Sequence, residues 1–431
     1  MREIIDFDKN WYFCRKDIKS EYGAYKGIAY ISAKTERYHL GPASKDYFCE
    51  PDSYNLNAAH SSGEKWERVD LPHDYIIQGI PEEKYNNALG FLPYDNAWYV
   101  KRFNLDESDK NKRITLLFEG VATHATVYLN GCLLKHNFCG YNSFEVDITD
   151  VVNITDVAHF DEDNILAVYV QTDEHEGWWY EGGGIYRHVK MIKTDLVSVD
   201  LWGIYAKPVH VCDKTWKVET QTTIRNDNVK AKTVKVVGEI FDENNNLIST
   251  KEVSGKIIDK DVRTFKYTFD IENPSLYYPD SPTRYTMKAS VYISNALVDS
   301  DEVKFGFRTF YLDPDKGMFI NGKHYKIQGV CGHADCGLLG KAVPDNVHRY
   351  KVRLMKEMGA NGYRTSHYPQ AEALMEELDK NGFIVMDETR WFESTDEGKA
   401  QLEMLMKRDR NRACVFFWSV GNEEPHHGLH Q

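Results

Sequence analysis

The sequence has 431 residues, 42% of them hydrophobic and 13% aromatic, which is enough for two to four cores rather than one. Lys and Arg number 53 against 66 Asp and Glu, a formal net charge of −13 that argues against a nucleic-acid or anionic-membrane surface and suits a neutral ligand. No basic segment with an apolar run follows Met1 and no stretch is long enough to span a bilayer, so a cytoplasmic protein is expected, with its eight scattered cysteines read as reduced thiols.

Up to about residue 195 the pattern is one of short strands. Ala125, Val127 and Leu129 alternate with polar residues and run into Asn130-Gly131, a strong hairpin signal. Leu166, Val168 and Val170 alternate again, and a jelly-roll β-sandwich is the natural class. Residues 20–64, rich in Tyr, Ser, Gly and Asn, read as a long insertion or loop. From 196 to 310 the alternation continues at Trp216, Val218, Thr220 and Thr222 and from Tyr285 to Ile293. A turn cluster at Asp242–Asn246 lies between them, and the segment reads as an immunoglobulin-like sandwich.

After Phe310 strands alternate with helices. Tyr325–Val330 is a predicted strand. Pro344-Asp345 opens a helix with Val347, Tyr350, Leu354 and Met358 on one face. A strand begins at Asn361. Leu374, Met375 and Leu378 mark a second helix ending at Asn381-Gly382, and Phe383–Met386 reads as a buried strand. Ser394–Glu397 resembles a capping box, and Val415–Val420 is a fourth strand. Four strands and three helices in this order imply βα units on a parallel sheet.

Functional side chains of such folds follow the C-terminal ends of the strands. Here those positions hold His333 and Asp335, then Arg364, Ser366 and His367, then Asp387 and Glu388, then Asn422 and Glu423. Any one of them reads equally well as a helix cap or ion-pair partner. Four strand ends that all deliver acids, histidines or an amide to one rim form a site pattern. Cys331, His333, Asp335 and Cys336 have ligand-like types at close spacing, but no second cluster completes a zinc site.

Asp387-Glu388 and Trp418-Ser419-Val420-Gly421-Asn422-Glu423 resemble the motifs of glycoside hydrolase family 2, which includes β-galactosidases, β-glucuronidases and β-mannosidases. Arg364-Thr365-Ser366-His367-Tyr368-Pro369, Gly306-Phe307-Arg308-Thr309 and Phe319-Ile320-Asn321-Gly322-Lys323 are similar to its barrel motifs. Leu71-Pro72-His73-Asp74 and Gly184-Ile185-Tyr186-Arg187 resemble its first domain, and Asn273–Asp280 its second. The resemblance implies a sugar-binding jelly roll over 1–195, an immunoglobulin-like sandwich over 196–310 and the first half of a TIM barrel over 311–431.

It also implies a retaining exo-acting β-galactoside hydrolase, with β-glucuronidase as the alternative substrate class and a homo-oligomeric full-length protein. Glu423 is the implied acid/base, protonated near neutrality inside a closing pocket. Asn422 is implied to bind the sugar 2-hydroxyl, with His367, His333 and Asp335 as further substrate contacts. Arg364, Asp387 and Glu388 are implied to support them. Trp179, with Tyr180, precedes Gly184-Ile185-Tyr186-Arg187 and reads as sugar-stacking or as plain packing. The nucleophile is implied on a glutamate of the seventh strand, so none is expected in these 431 residues. The chain by itself is expected to be inactive or nearly so, which leaves a non-catalytic carbohydrate-binding protein as a further reading. No cofactor is expected. Thr389–Ser394 lacks the histidine that holds magnesium in some relatives, and Glu393 is out of register, so no metal is expected beside Glu423.

Overall fold

The computed structural model describes residues 1–16, 18, 42–43, 66–155, 157–173, 175–391 and 393–423. The insertion read over 20–64 lies outside them apart from Pro42 and Ala43. The described residues divide into two compact units. The first holds residues 4–193 with 334–344, and the second holds 1–3, 194–333 and 345–431.

The first unit is a two-sheet β-sandwich. One sheet has six strands in the order 67–69, 11–14, 97–104, 163–171, 124–129, 132–137. The other has four, in the order 3–6, 189–195, 112–118, 144–147. Alternation sends Ala125, Val127, Leu129, Leu166, Val168 and Val170 into one core with Trp11, Tyr99, Phe118 and Phe144. The Asn130-Gly131 turn joins Leu129 to Cys132, and both residues have positive φ (48° and 83°), as the primed hairpin turns require. The six-stranded sheet also buries its second face, where Tyr12, Trp98, Val100 and Ile165 pack with Ile18 and Ala43.

In the second unit, residues 197–305 form a seven-stranded sandwich. Strands 197–212, 215–226 and 261–272 face strands 247–257, 232–241, 285–293 and 296–305. Trp216, Val218, Thr220, Thr222 and Ile224 are buried while their neighbours in sequence are not, which is the period-2 pattern of a half-buried antiparallel strand. A three-stranded meander follows. The Phe319–Lys323 motif turns it through Asn321 and Gly322, both at positive φ (50° and 78°). The Asn321 amide also accepts from Thr309 N at 2.7 Å and donates to Tyr277 O at 3.0 Å, so the motif ties the meander to the chain on either side.

The parallel sheet then runs β1 (Gly329–Cys331), α1 (Asp345–Glu357), β2 (Gly362–Arg364), α2 (Glu372–Lys380), β3 (Ile384–Glu388), α3 (Asp396–Asp409), β4 (Val415–Ser419). The predicted strand over Tyr325–Val330 is two pieces. Tyr325 ends the antiparallel meander and Gly329 starts β1. The helix face also differs. Val347, Tyr350, Leu354 and Met358 do share a face, but Tyr350, Leu354 and Met358 are 53%, 38% and 75% exposed, while His348 and Val352 are buried, Val352 in one core with the strands. Periodicity marks an apolar stripe and cannot say which neighbour covers it.

Helix α2 buries Leu374, Met375 and Leu378, worth about 2 kcal/mol each as area removed from water. It ends as its Asn-Gly signal predicts: Gly382 has φ 69° and Phe383 N reaches back to Leu378 O. In α3 the cap is Thr395, one residue later than the box suggested, and its hydroxyl accepts from Gly398 N at 3.1 Å. The outer flank of α3 and β4 borders a groove of about 740 Å³ lined by Leu402, Met406, Phe416 and Trp418 among others.

Among the described residues no helix is long and apolar enough to cross a membrane. No disulfide joins any two of the seven described cysteines, and Cys49 lies outside the described residues.

Candidate functional site

Register sorts the strand-end residues onto two faces. Val330, Tyr363, Val385 and Val415 align across the four strands and sink into the core beneath the helices. Cys331, Arg364, Met386 and Phe417 form the next row and point to the opposite, open face. A strand's side-chain period is 2, so Glu388 shares the open face with Met386 and Asp387 shares the covered face with Val385. Two adjacent carboxylates are thereby sent to different environments.

On the open face Glu388 is the hub. Its carboxyl is fully buried and accepts from Arg364 Nε at 2.9 Å, Arg364 Nη2 at 3.2 Å and Ser419 Oγ at 2.8 Å. His367 Nδ1 lies 3.0 Å from its other oxygen. The same Nδ1 lies 3.2 Å from Arg364 Nη2, which can only donate, so the imidazole sits between the carboxylate and the guanidinium. The Arg364–Glu388 contact uses the planar fork of the guanidinium, a geometry a lysine cannot match.

Arg364 Nη2 continues the chain to Asn422 Oδ1 at 2.8 Å. Asn422 is thus oriented by a bond to its oxygen, which directs its NH2 group away from the arginine. Glu423 follows at φ 46°, in the left-handed region where a side chain costs about 1–2 kcal/mol. Glu423 is exposed, so the described residues do not build the enclosure expected around it. His333 stands beside His367, ring edge to ring face at 5.4 Å, and its Nδ1 lies 3.2 Å from Tyr368 OH. Glu423, Asn422, His367, His333, Arg364 and Glu388 all lie at the C-terminal ends of the parallel strands, while Asp387 lies beneath them.

Asp335 and Trp179 belong to the first unit. Trp179 Nε1 donates to Tyr141 OH at 3.0 Å, and that hydroxyl donates to Glu181 at 2.8 Å, so the indole is held by packing and a polar tether. Its neighbour Trp178 is the exposed indole, at 53%. The Leu71–Asp74 motif has a physical reason in this unit. Buried Asp74 accepts four bonds, from Ile76 N, Gly183 N, Lys341 N and Tyr180 OH, at 2.7–3.1 Å. It therefore clamps the residues before Gly184 to the 334–344 segment that carries Asp335. Gly182 is required at this clamp. Its φ is 65°, and a Cβ there would meet Asp74 Oδ2 at 2.6 Å. Lys341 is buried in the same cluster, its ammonium 3.7 Å from the Tyr141 ring centroid and 4.7 Å from that of Tyr186. Burial pushes it down to about 8, against the pull of Glu181.

Sequence reasoning did not single out three residues that the geometry makes central: Ser419 and Thr365 around Glu388, and Tyr368 beside His333. All three lie inside the motifs and read there as spacers. Among the described residues no group of three or more His, Cys, Asp or Glu side chains converges as metal ligands would.

Three family models match in succession: the glycosyl hydrolase 2 galactose-binding domain-like over residues 68–180, glycosyl hydrolases family 2 over 199–308, and the glycosyl hydrolases family 2 TIM barrel domain over 314–431. A β-galactosidase of Bacteroides ovatus is 34% identical over 407 residues, covering 90% of this chain and 45% of that protein. A β-glucuronidase of Formosa agariphila is 28% identical over 395 residues, covering 83% and 39%. The crystal structure of a β-glycosidase from Bacteroides vulgatus superposes with a TM-score of 0.79 at 29% identity, over 99% of this chain and 52% of that one. The chain spans about half the length of the curated relatives it matches.

Proposed function

The chain belongs to glycoside hydrolase family 2, with a jelly-roll sandwich, an immunoglobulin-like sandwich and the first half of a TIM barrel, and from that premise we propose that it forms part of a retaining exo-β-galactosidase. The observation that carries the reading is the connected rim, in which Glu388 fixes Arg364 and His367, Arg364 fixes Asn422, and Asn422 precedes Glu423.

In a retaining reaction one carboxylic acid protonates the glycosidic oxygen while a second carboxylate, about 5–5.5 Å away, attacks the anomeric carbon. Glu423 takes the acid/base role. It is exposed at a strand end, and its left-handed backbone is the kind of strain that accumulates where a side chain must be aimed. Asn422 presents its NH2 group to a sugar hydroxyl, and His367 presents Nε2. The attacking carboxylate has no candidate among the described residues. Glu388 is fully buried and holds four polar contacts, and Asp387 faces away from the rim.

Two flanks of the half barrel support further βα units as its neighbours: the exposed Tyr350 and Leu354 of α1 with Met358 just beyond it, and the groove beside β4, where Leu402, Met406, Phe416 and Trp418 stand among charged side chains. The 431 residues alone are accordingly expected to give little or no turnover. Galactoside is preferred to glucuronide as the substrate, and relatives of both names support only the wider class. The experiment compares aryl β-galactoside and aryl β-glucuronide hydrolysis by the complete reading frame, with Glu423→Gln alongside. Loss of the acid should slow poor leaving groups about 10²–10⁴-fold and activated aryl groups far less. Equal losses on both would remove Glu423 from the acid role, and faster glucuronide cleavage would overturn the substrate assignment.

A further inference from the structure

The strand that leads to Glu423 holds one residue more than its ladder uses. Val385 of β3 pairs with Val415 of β4, but the next residue, Met386, pairs with Phe417, so Phe416 is inserted as a β-bulge. Val415 and Phe416 are accordingly both buried in the core beneath the helices, which strict alternation would not permit for neighbours in sequence. Everything after the bulge is shifted by one, and a one-residue shift exchanges the two faces of a strand. With the bulge, Ser419 stands opposite Glu388, and its hydroxyl donates to Glu388 Oε2 at 2.8 Å. Without it, and with Val415 still beside Val385, Trp418 would stand opposite Glu388 and Ser419 would turn under the helices. Asn422, which accepts from Arg364 Nη2 at 2.8 Å, and Glu423 follow Ser419 along the chain and would be displaced with it.

The start of β4 is tied down, so the extra residue cannot be passed back toward α3. Cys414 N donates to Asp379 Oδ1 of α2 at 2.8 Å, Cys414 O accepts from Val385 N at 2.8 Å, and Val415 N reaches Arg412 O at 3.2 Å. The carbonyls on either side of Cys414 are taken by one side chain, Arg308, from the segment between the immunoglobulin-like sandwich and the meander. Its Nε donates to Ala413 O at 2.5 Å and its Nη2 donates to Val415 O, the carbonyl that enters the bulge. The guanidinium also lies 4.0 Å from the centroid of the Phe416 ring, so the inserted residue is held by its side chain as well. A bulge disrupts the ladder locally, and a planar fork that reaches two carbonyls while covering a ring is a task for arginine rather than lysine. Gly306 belongs to the same fit, because a Cβ there would meet the Ala413 Cβ at 2.8 Å.

We propose that Arg308 is a positioning residue for Glu423: it pins the bulge at Phe416, and with it the register that turns Ser419 to Glu388 and delivers Asn422 and Glu423 to the rim. The role rests on the glycosidase reading, whereas the bulge and the grip on it do not. It gives a task to the Gly306–Thr309 motif, which meets β4 at the end opposite Glu423.

The test uses the complete enzyme. An arginine that only stabilises would change the folded fraction and leave the folded enzyme as it was, whereas a positioning arginine changes the acid step. At equal folded fraction, Arg308→Ala should lower kcat/KM about 10²-fold for poor leaving groups, the cost of a misplacement of roughly 1 Å. For activated aryl glycosides, which need little help from an acid, the loss should stay under about tenfold. Arg308→Lys, which keeps the charge and loses the fork, should fall between Arg308→Ala and the wild type, and it carries the same leaving-group comparison if Arg308→Ala does not fold. Ser419→Ala should slow the wild type and add nothing in the Arg308→Ala background, where Ser419 no longer faces Glu388. Equal losses on both kinds of leaving group, or additive effects of the two substitutions, overturn the positioning role. A crystal structure of the wild-type enzyme tests the bulge with no variant and no activity. Phe417 opposite Met386, with Arg308 on the carbonyls of Ala413 and Val415, is expected, and an unbroken ladder through Phe416 overturns the proposal. An enzyme that keeps the bulge but cleaves no glycoside would sink the glycosidase reading, and the role for Glu423 with it, while leaving the register assignment standing.

Discussion

Removing the Arg364 guanidinium is the sharpest perturbation of the rim. Glu388 is completely buried and takes two of its bonds from Arg364, whose third bond orients Asn422. Each bond to a charged group is worth about 1.5–3 kcal/mol net, and breaking a buried ion pair costs about 3–5 kcal/mol because a charge is stranded. Arg364 is itself 37% exposed, so water screens part of that interaction, and Ser419 and His367 still serve Glu388. About 2 kcal/mol is expected for Arg364→Ala, a roughly 30-fold shift in the folding equilibrium. Arg364→Lys should lose about 1 kcal/mol, since the charge stays and the fork is gone. The assay is urea unfolding, with the transitions of the two units resolved separately, combined with hydrogen exchange of the β3 amides. A double-mutant cycle with Glu388→Gln should give a coupling of about 1–2 kcal/mol. A loss under about 0.5 kcal/mol, or a coupling near zero, would refute the argument, because Glu388 would then be satisfied without the arginine.

The clamp in the first unit offers two further tests. Asp74→Ala strands two backbone N–H groups on one side and the Lys341 N–H and Tyr180 hydroxyl on the other, so that unit should lose about 3–4 kcal/mol in urea; a loss below 1 kcal/mol would show the clamp to be incidental. Lys341 is pushed down to about 8 from 10.5, so below pH 8 folding carries the full cost of its buried charge, and that cost is relieved as pH rises above 8. The first unit should therefore gain stability from pH 8 to 9.5, short of tyrosine ionisation, and Lys341→Met should abolish the gain; a gain that persists in the variant would assign it elsewhere.

Much of the rim was legible in the sequence because motif order and strand-end position are local facts. Arg364-Thr365-Ser366-His367 and Gly421-Asn422-Glu423 each sit at the end of an apolar run, so their place followed from the βα alternation alone. What each residue touches did not follow. Asp387 and Glu388 look alike as neighbours in sequence. They differ because period 2 turns one under the helices and the other to the open face beneath Arg364. Likewise the stripe on α1 was readable, whereas its exposure depends on what packs beside it.

The sequence by itself determined the order of the domains' strands and helices, the turns at Asn130-Gly131 and Asn381-Gly382, and the family. Each of these rests on local periodicity, backbone sterics or contiguous motifs. Only the tertiary structure decided that Glu388 is the hub of the rim and that Trp179 is tethered to Tyr141. Those partners are separated by many residues, and the free energy of a buried charge depends on what the fold brings against it, which no spacing along the chain encodes.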